Sequence, residues 1–182
     1  MPDTRPCMTS EFFPAHPYVM PHIQGAVVDF GCGGLRITQT AIGVDYERHY
    51  DNPETDKWAM PTDATITCGW ERFVEFCEEV GARFDVVFSS HLLEDFEDAY
   101  GILARWVGIV RPGGKVVLVL PIEQEFHRQD PEHANEHHKQ DWAGAEDFLA
   151  GMPLELAQRL EVLEARDGIG RWSFLVVLKR LT

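Results

Sequence analysis

A short apolar run that leads into a glycine-dense turn constrains this chain more than any other feature. The run covers residues 26–30, with Asp29 near its end, and residues 31–34 are Gly-Cys-Gly-Gly. An apolar run of this length is typical of a buried parallel strand. Glycines allow the backbone to turn tightly and to approach a ligand without clashes from a Cβ atom. We therefore predict a nucleotide-like cofactor at the carboxyl end of this strand.

Strand and helix patterns alternate along the rest of the chain. Apolar runs predict strands at residues 26–30, 41–45, 58–61, 84–89, 115–121, 160–166 and 172–179. Helical spacing of apolar residues predicts helices at residues 70–80, 99–110, 145–150 and 153–159. This alternation indicates an α/β fold with a parallel sheet covered on both faces. The turn at residues 167–170 is short enough for the last two strands to form an antiparallel hairpin.

Two regions depart from this regular alternation. Residues 1–25 contain five prolines, which oppose a long helix, so we expect an irregular arm with one short helical turn. Residues 31–40 leave little room between the first two strands, so a helix there is short or missing. The length of the chain and the lack of a clear linker predict a single domain over residues 1–182.

Composition argues against several classes of protein. The formal net charge of −14 opposes broad binding of nucleic acid, although backbone N–H groups can still hold a small anionic ligand. No apolar run approaches the roughly 20 residues that span a bilayer, and residues 1–10 lack the apolar core of a signal peptide. The four cysteines form no CxxC pair, so neither a zinc site nor a disulfide framework is indicated. We expect a cytoplasmic protein without membrane contact.

Other nucleotide-binding motifs fit the glycine turn poorly. The dinucleotide fingerprint G-x-G-x-x-G matches at Gly31 and Gly33, but Arg36 stands where its third glycine would be. The gap between the glycines and Asp45 is also too short for the acidic residue of that fingerprint. A P-loop would end in Gly-Lys-Ser or Gly-Lys-Thr, which this turn does not. The glycines alone would also suit an ordinary tight turn, so other segments must decide between these interpretations.

Four segments, taken in order, resemble the class I S-adenosylmethionine-dependent methyltransferases of the small, single-domain type 11 kind. They are Val27-Val28-Asp29-Phe30-Gly31-Cys32-Gly33, Ile42-Gly43-Val44-Asp45, the stretch FDVVFSSHLLE at residues 84–94, and Arg111-Pro112-Gly113-Gly114. The resemblance covers about residues 25–121 and is carried by the order and spacing of the segments. It implies a Rossmann-like three-layer sandwich with a mostly parallel seven-stranded sheet and an antiparallel C-terminal hairpin. The chain departs from the family in its short first helix and in Asp95, where many relatives have histidine.

The resemblance implies S-adenosylmethionine as the cofactor and indicates the residues that meet it. Asp29 would orient the glycine turn or meet the methionine amino group, and the turn would lie beneath the methionine. Asp45 would accept hydrogen bonds from the ribose hydroxyls, and Asp63 resembles the acidic residue that meets the adenine amino group. The full expected set is Asp29, Gly31, Cys32, Gly33, Asp45, Tyr46, Asp63, Ala64, Ser89, Ser90 and His91. Cys32 is also interpreted as a small packing residue of the turn.

A polar, histidine-rich segment follows the fifth predicted strand. It contains His127, His133, His137 and His138 with interleaved carboxylates, and we expect residues 122–144 to form a loop over the substrate. Because the segment lacks a standard motif such as His-Glu-x-x-His, a solvated loop, substrate contact and a metal site all stay open, with metal least favoured. The acidic run at residues 94–98 is expected to combine a helix N-terminus with solvation.

The function that the resemblance implies is methyl transfer to an O or N atom of a small-molecule acceptor, with no resident metal. The acceptor must lose a proton, so a base within hydrogen-bond reach would help. His91 is the first candidate for this catalytic base and His127 the second. A non-catalytic S-adenosylmethionine-binding or interaction protein with the same fold is the alternative. A metal-dependent enzyme that uses the histidine segment is a third hypothesis.

Overall fold

Seven strands form one sheet, in the order β3-β2-β1-β4-β5-β7-β6, in a computed structural model of the chain. The structure describes residues 12–46, 62–122, 124–125, 138–170 and 172–182, and only the backbone of residues 12–14. The strands are β1 Val27–Phe30, β2 Ile42–Asp45, β3 Ile66–Thr67, β4 Phe84–Ser90, β5 Val110–Pro121, β6 Leu160–Asp167 and β7 Ser173–Arg180. Neighbours from β3 to β5 are parallel, whereas β5, β7 and β6 are antiparallel. The predicted sheet and its closing hairpin are therefore confirmed.

The described α-helices agree closely with the helical spacing of the sequence from residue 70 onward. They are α1 Phe12–Val19, α2 Trp70–Val80, α3 Ala99–Ile109, α4 Ala145–Ala150 and α5 Leu154–Ala157, and 3-10 helices lie at Met20–His22 and Leu93–Asp95. Gly81 ends α2 in the left-handed conformation, with φ of 72°. None of the described helices is both long and apolar enough to cross a bilayer.

The arm before β1 is more helical than its prolines predicted. In place of a single turn, α1 has eight residues with Pro17 inside it, and a 3-10 helix follows. Ala15 and Val19 of α1 are fully buried and join Ile23 in a core against the sheet. Burial of this apolar side compensates for the backbone hydrogen bond that Pro17 cannot donate.

The third strand lies later in the chain than predicted. It is the two-residue edge strand Ile66–Thr67, in which Ile66 pairs with Val44 of β2. Both residues of β3 are exposed, so no buried apolar run marked them in the sequence. The strand predicted at residues 58–61 lies outside the described residues.

The two faces of the sheet bury separate cores. On one face, the Phe30 ring stacks on Trp106 of α3 with 4.9 Å between centroids and meets Phe73 of α2 edge-on at 5.8 Å. On the other face, α1 and Ile37 pack on alternate residues of β4, β5 and β7. Residues 31–41 are all described and form no helix, as the short gap predicted. Because a crossover helix is missing there, α1 covers part of the sheet face that such a helix would occupy.

Residues 111–114, which precede the predicted fifth strand, form a bulge inside β5. The register pairs Phe84 with Val110 and then Val86 with Lys115, so one residue of β4 lies opposite four residues of β5. A Cβ on Gly114 would lie 2.7 Å from a backbone carbonyl oxygen of β4. The bulge therefore requires glycine where the two backbones approach.

Arg180 joins the end of β7 to the C-terminus of α3. Its Nη1 donates hydrogen bonds to the carbonyl oxygens of Val107 and Gly108 in the last turn of α3 and of Val110 at the start of β5. We expect Arg180→Met to lower the free energy of unfolding by about 1.5–3 kcal/mol, because a charged donor to buried carbonyls is lost. Urea unfolding measures this change.

Lys179 provides the matched control for Arg180. It makes an exposed ion pair with Glu161 at 2.8 Å. Exposed pairs contribute little to stability, so Lys179→Met should change the free energy of unfolding by less than about 1 kcal/mol. Equal effects of the two substitutions would contradict the role of Arg180 as the cap of α3.

Candidate cofactor site

The glycine turn after β1 has the backbone that the sequence predicted. Gly31 and Gly33 have φ of 69° and 56°, in the left-handed region that favours glycine. A Cβ on Gly31 would lie 2.9 Å from the side chain of Leu92, so the segment after β4 packs directly against the turn. A Cβ on Gly33 would meet no atom of the described residues within 4 Å. The turn therefore has an open side at Gly33 where a ligand can approach the backbone.

Asp29 is hydrogen-bonded to the irregular connection that follows the glycine turn. Its carboxylate is buried, and Oδ2 accepts a hydrogen bond of 2.6 Å from the backbone N–H of Ile37. Burial raises the pKa of Asp29 to about 8 despite this hydrogen bond, and the nearby Asp45 adds to the increase. The two roles expected for Asp29, toward the turn and toward the methionine amino group, stay predictions.

Asp45 stands at the tip of β2, beside the glycine turn. Its Oδ2 accepts a hydrogen bond of 2.8 Å from the N–H of Gly33, and Oδ1 accepts one of 2.7 Å from the N–H of Tyr46. The Tyr46 side chain is 60% exposed at the same edge. The sequence therefore identified two features, the turn and the strand-end acid, that the fold brings into direct contact.

Asp63 also lies against the turn, where it forms an ion pair with Arg36. Its N–H donates to the carbonyl oxygen of Gly33 at 2.8 Å, and the Arg36 side chain bonds both of its carboxylate oxygens, at 3.0 and 3.3 Å. This guanidinium holds the pKa of Asp63 below its ordinary value. Ala64 follows, and its N–H donates to the Thr62 hydroxyl.

Arg36 is a residue whose role the sequence analysis missed. In the sequence, Arg36 is notable only because it breaks a dinucleotide fingerprint. In the fold, its side chain also donates hydrogen bonds to the carbonyl oxygen of Ala41 and the hydroxyl of Thr65. Its position as the sole cation in residues 31–45 was the available signal. Arg36 thus ties the irregular connection after the turn to the segment around Asp63.

Cys32 is a packing residue within the turn. It is buried, and burial together with the nearby carboxylates raises the pKa of its thiol to about 12. A thiol of this kind does not serve as a nucleophile near neutral pH. The interpretation of Cys32 as a small side chain that fills space agrees with this environment.

Ser89, Ser90 and His91 follow one another at the carboxyl end of β4. Ser89 is fully buried and its hydroxyl donates to the carbonyl oxygen of Phe30 in β1, whereas Ser90 is partly exposed. His91 has φ of 52°, and no other non-glycine residue of the described chain has a positive φ. Such backbone strain is typical of functional sites. With this backbone conformation, the His91 imidazole lies between β7 and the segment that follows β4.

The His91 ring contacts two side chains that the sequence analysis did not connect with it. Nε2 lies 3.0 Å from the hydroxyl oxygen of Ser173, which begins β7. Nδ1 lies 3.5 Å from Oε1 of Glu94, and Nε2 of His138 lies 3.7 Å from the same oxygen. The fold therefore assembles a cluster of His91, Glu94, His138 and Ser173, which we call the histidine cluster.

The prediction that the acidic run at residues 94–98 is solvated is wrong for Glu94. Its side chain is fully buried, because the 3-10 helix Leu93–Asp95 turns it inward. The carbonyl oxygen of Glu94 also accepts hydrogen bonds from the N–H groups of Lys139 and Gln140, at 2.7 and 3.0 Å. Asp98 does act as predicted, because its side chain caps the start of α3 by accepting from the N–H of Gly101.

The described end of the histidine-rich segment packs against the residues that follow Glu94. The Gln140 side chain donates to the carbonyl oxygens of Phe96 and Glu97 at 2.8 and 3.0 Å. His127, His133 and His137 lie outside the described residues. Within the described ranges, no three His, Cys, Asp or Glu side chains are arranged to hold a metal ion.

The chain matches the family model described as a methyltransferase domain over residues 66–118. This stretch runs from β3 into β5 and includes the segment after β4 and the bulge of β5. No curated protein matches the sequence significantly.

Solved structures share the fold at low sequence identity. The plantazolicin methyltransferase BpumL in complex with SAH is 8% identical with a TM-score of 0.61, over 93% of this chain and 83% of that one. A protein described as converting a disulfide bond into a thioacetal group during echinomycin biosynthesis is 18% identical with a TM-score of 0.59, over 92% and 82%. The N-methyltransferase NodS from Bradyrhizobium japonicum WM9 is 15% identical with a TM-score of 0.54, over 98% and 89%.

At these identities the solved structures establish the fold, and the domain model matches residues 66–118 of the chain. The number and the directions of the strands are those that the resemblance implied. The matched residues include two of the four segments on which the resemblance rests. The chain thus matches a methyltransferase domain over residues 66–118 and shares the fold of solved methyltransferases, two of which are in complex with SAH.

Proposed function

We propose that this chain transfers a methyl group from S-adenosylmethionine to an O or N atom of a small-molecule acceptor, as a single domain over residues 1–182. One observation carries the proposal: the open glycine turn, Asp45 and His91 lie at the carboxyl ends of the adjacent strands β1, β2 and β4. This edge is where open α/β sheets bind their ligands. The methyltransferase domain match supports the donor.

The residues around the glycine turn fit the cofactor. Gly33 leaves open space beside the backbone, and the Asp45 carboxylate can accept hydrogen bonds beyond those from Gly33 and Tyr46. We assign the ribose hydroxyls to Asp45, and the methionine end to the turn above Asp29. Asp63 and Ala64 would border the adenine, with the Asp63 carboxylate held by Arg36.

Methyl transfer requires the protein mainly to align the two reactants and to supply a base for the acceptor proton. S-adenosylmethionine supplies a methyl group on a sulfonium, and the S–CH3 bond breaks toward sulfur as the acceptor O or N forms its new bond. Holding the reactants in line can contribute about 7–11 kcal/mol. We propose His91 as the base that takes the acceptor proton, since its ring is 20% exposed at this edge. His127 remains a second candidate.

Charge and the named neighbours favour a small acceptor. The net charge of −14 opposes a large polyanion. One structural neighbour is a plantazolicin methyltransferase and another is described in echinomycin biosynthesis. We further propose a cytoplasmic location, supported by Cys32, Cys68 and Cys77 being free thiols.

Calorimetry and a transfer assay test this function together. We expect the purified chain to bind S-adenosylhomocysteine and, with S-adenosylmethionine and a panel of small alcohols, carboxylates and amines, to release S-adenosylhomocysteine. Failure to bind either cofactor form would overturn the proposal. Binding without transfer to any member of the panel would favour the non-catalytic alternative.

Asp45 gives a direct test of the cofactor site. We expect Asp45→Asn to weaken S-adenosylhomocysteine binding about 10- to 100-fold, because charge-assisted hydrogen bonds to the ribose are worth about 1.5–3 kcal/mol. Calorimetry measures the dissociation constants. Asp141→Asn, which removes an exposed carboxylate, is the matched control. Unchanged affinity in Asp45→Asn would remove Asp45 from the ribose site.

A further inference from the structure

Glu94 is a buried carboxyl group without a hydrogen-bond partner for either side-chain oxygen among the described residues. Its side chain is 0% exposed, and both Oε1 and Oε2 lack such a partner. An isolated buried carboxylate costs several kcal/mol, so a group of this kind needs compensation by a nearby positive charge or by its own proton. The position of Glu94 in the core therefore calls for a physical reason.

Two imidazoles lie near one of these oxygens. Nδ1 of His91 and Nε2 of His138 lie 3.5 and 3.7 Å from the same oxygen, Oε1 of Glu94. Both distances exceed that of a good hydrogen bond, but catalytic hydrogen bonds are often long before the substrate binds. Oε1 of Glu94 thus lies near two histidine rings, one of which stands at the proposed reaction edge.

The His91 ring lies between the Glu94 carboxylate and the Ser173 hydroxyl. The strained residue is held by its N–H, which donates to the carbonyl oxygen of Val119 at 3.0 Å. The Ser173 hydroxyl lies 3.0 Å from Nε2, on the opposite side of the ring from the Glu94 carboxylate. One ring nitrogen therefore faces an acid and the other faces a hydroxyl.

We propose that Glu94 is a positioning residue that holds His91 in the tautomer with hydrogen on Nδ1. Nε2 then carries the lone pair, accepts the Ser173 hydroxyl in the resting site, and takes the proton from the acceptor O–H or N–H during transfer. The imidazolium that forms is stabilised by the Glu94 carboxylate. This inference rests on the proposed function for the last step, whereas the tautomer is a property of the protein alone.

Nitrogen NMR of the histidine side chains tests the tautomer without cofactor or acceptor. With 15N-labelled wild-type protein above the pH at which His91 titrates, we expect the Nδ1–H form at His91, assigned by its loss in His91→Asn. Glu94→Gln should lower the Nδ1–H fraction of His91, because the amide has no negative charge to attract this hydrogen. An Nε2–H tautomer in the wild type, or no change in Glu94→Gln, would overturn the proposal.

Kinetics give the second readout. We expect Glu94→Gln to lower kcat about 10- to 100-fold while the KM for S-adenosylmethionine stays within about twofold, because Glu94 acts through His91. The exposed neighbour Glu97 provides the control Glu97→Gln, with both values unchanged. Unchanged kcat in Glu94→Gln would also overturn the role of Glu94 in catalysis.

The failures of the two proposals are distinguishable. If the wild type binds no cofactor, the proposed function fails while the NMR measurement still decides the tautomer. If the wild type transfers methyl groups and Glu94→Gln matches it in both readouts, only the role of Glu94 fails. Should Glu94→Gln not fold, Glu94→Leu fills the site without a buried charge, and the same two measurements apply to it.

Discussion

Replacing His91 with asparagine should lower kcat for methyl transfer by about 10²- to 10⁴-fold, the usual contribution of a general base. Asparagine suits this position because it tolerates the left-handed backbone that His91 adopts at φ of 52°. Its side-chain amide has no basic nitrogen and cannot take the proton of the acceptor. Binding of S-adenosylhomocysteine should be retained, since the glycine turn and Asp45 are intact.

The measurement is a steady-state assay with calorimetry on the same preparations. His22→Asn is the matched control, because His22 is paired with Glu164 and borders a cavity of about 420 Å³ formed by the amino ends of β4 and β5, at the opposite edge of the sheet. It should retain wild-type kcat. Wild-type turnover in His91→Asn across the pH range would exclude His91 as the base and leave His127 as the candidate.

Asp29 should make the stability of the fold depend strongly on pH. The pKa of its carboxyl is about 8 in the folded chain, against an ordinary value of 3.8. Between about pH 4 and pH 8 the folded state keeps a proton that the unfolded state has released, so this residue lowers stability as pH rises through that window. Above about pH 8 both states are ionised and the contribution becomes constant. Asp29→Asn cannot titrate and can still accept from the N–H of Ile37.

We therefore expect Asp29→Asn to gain stability relative to the wild type as pH rises from 5 to 8. The gain should approach about 1.4 kcal/mol per pH unit and reach several kcal/mol. Urea unfolding at several pH values measures it, and Asp141→Asn should give a difference that does not depend on pH. A pH-independent difference for Asp29→Asn would show that the buried carboxyl is already ionised near neutral pH.

Much of the fold follows from local patterns. The helix at Trp70–Val80 was predicted from the helical spacing of its apolar residues, which form one buried face. Strand β4 was predicted from a continuous apolar run, because its two faces are buried in the two cores of the sheet. Regions whose structure depends on distant contacts were predicted poorly. The helix at Phe12–Val19 forms despite its prolines because Ala15 and Val19 are buried against the sheet.

The sequence by itself determined the glycine turn, the acid at the end of β2 and the histidine after β4, because their spacing along consecutive strands specifies one edge of a parallel sheet. Only the tertiary structure decided which of the nearby acids is buried. Glu94 belongs to a run of polar residues that resembles a solvated helix start, and its burial depends on the chain returning at Lys139 and Gln140. Burial of a side chain reflects contacts made far along the chain, and no local pattern encodes them.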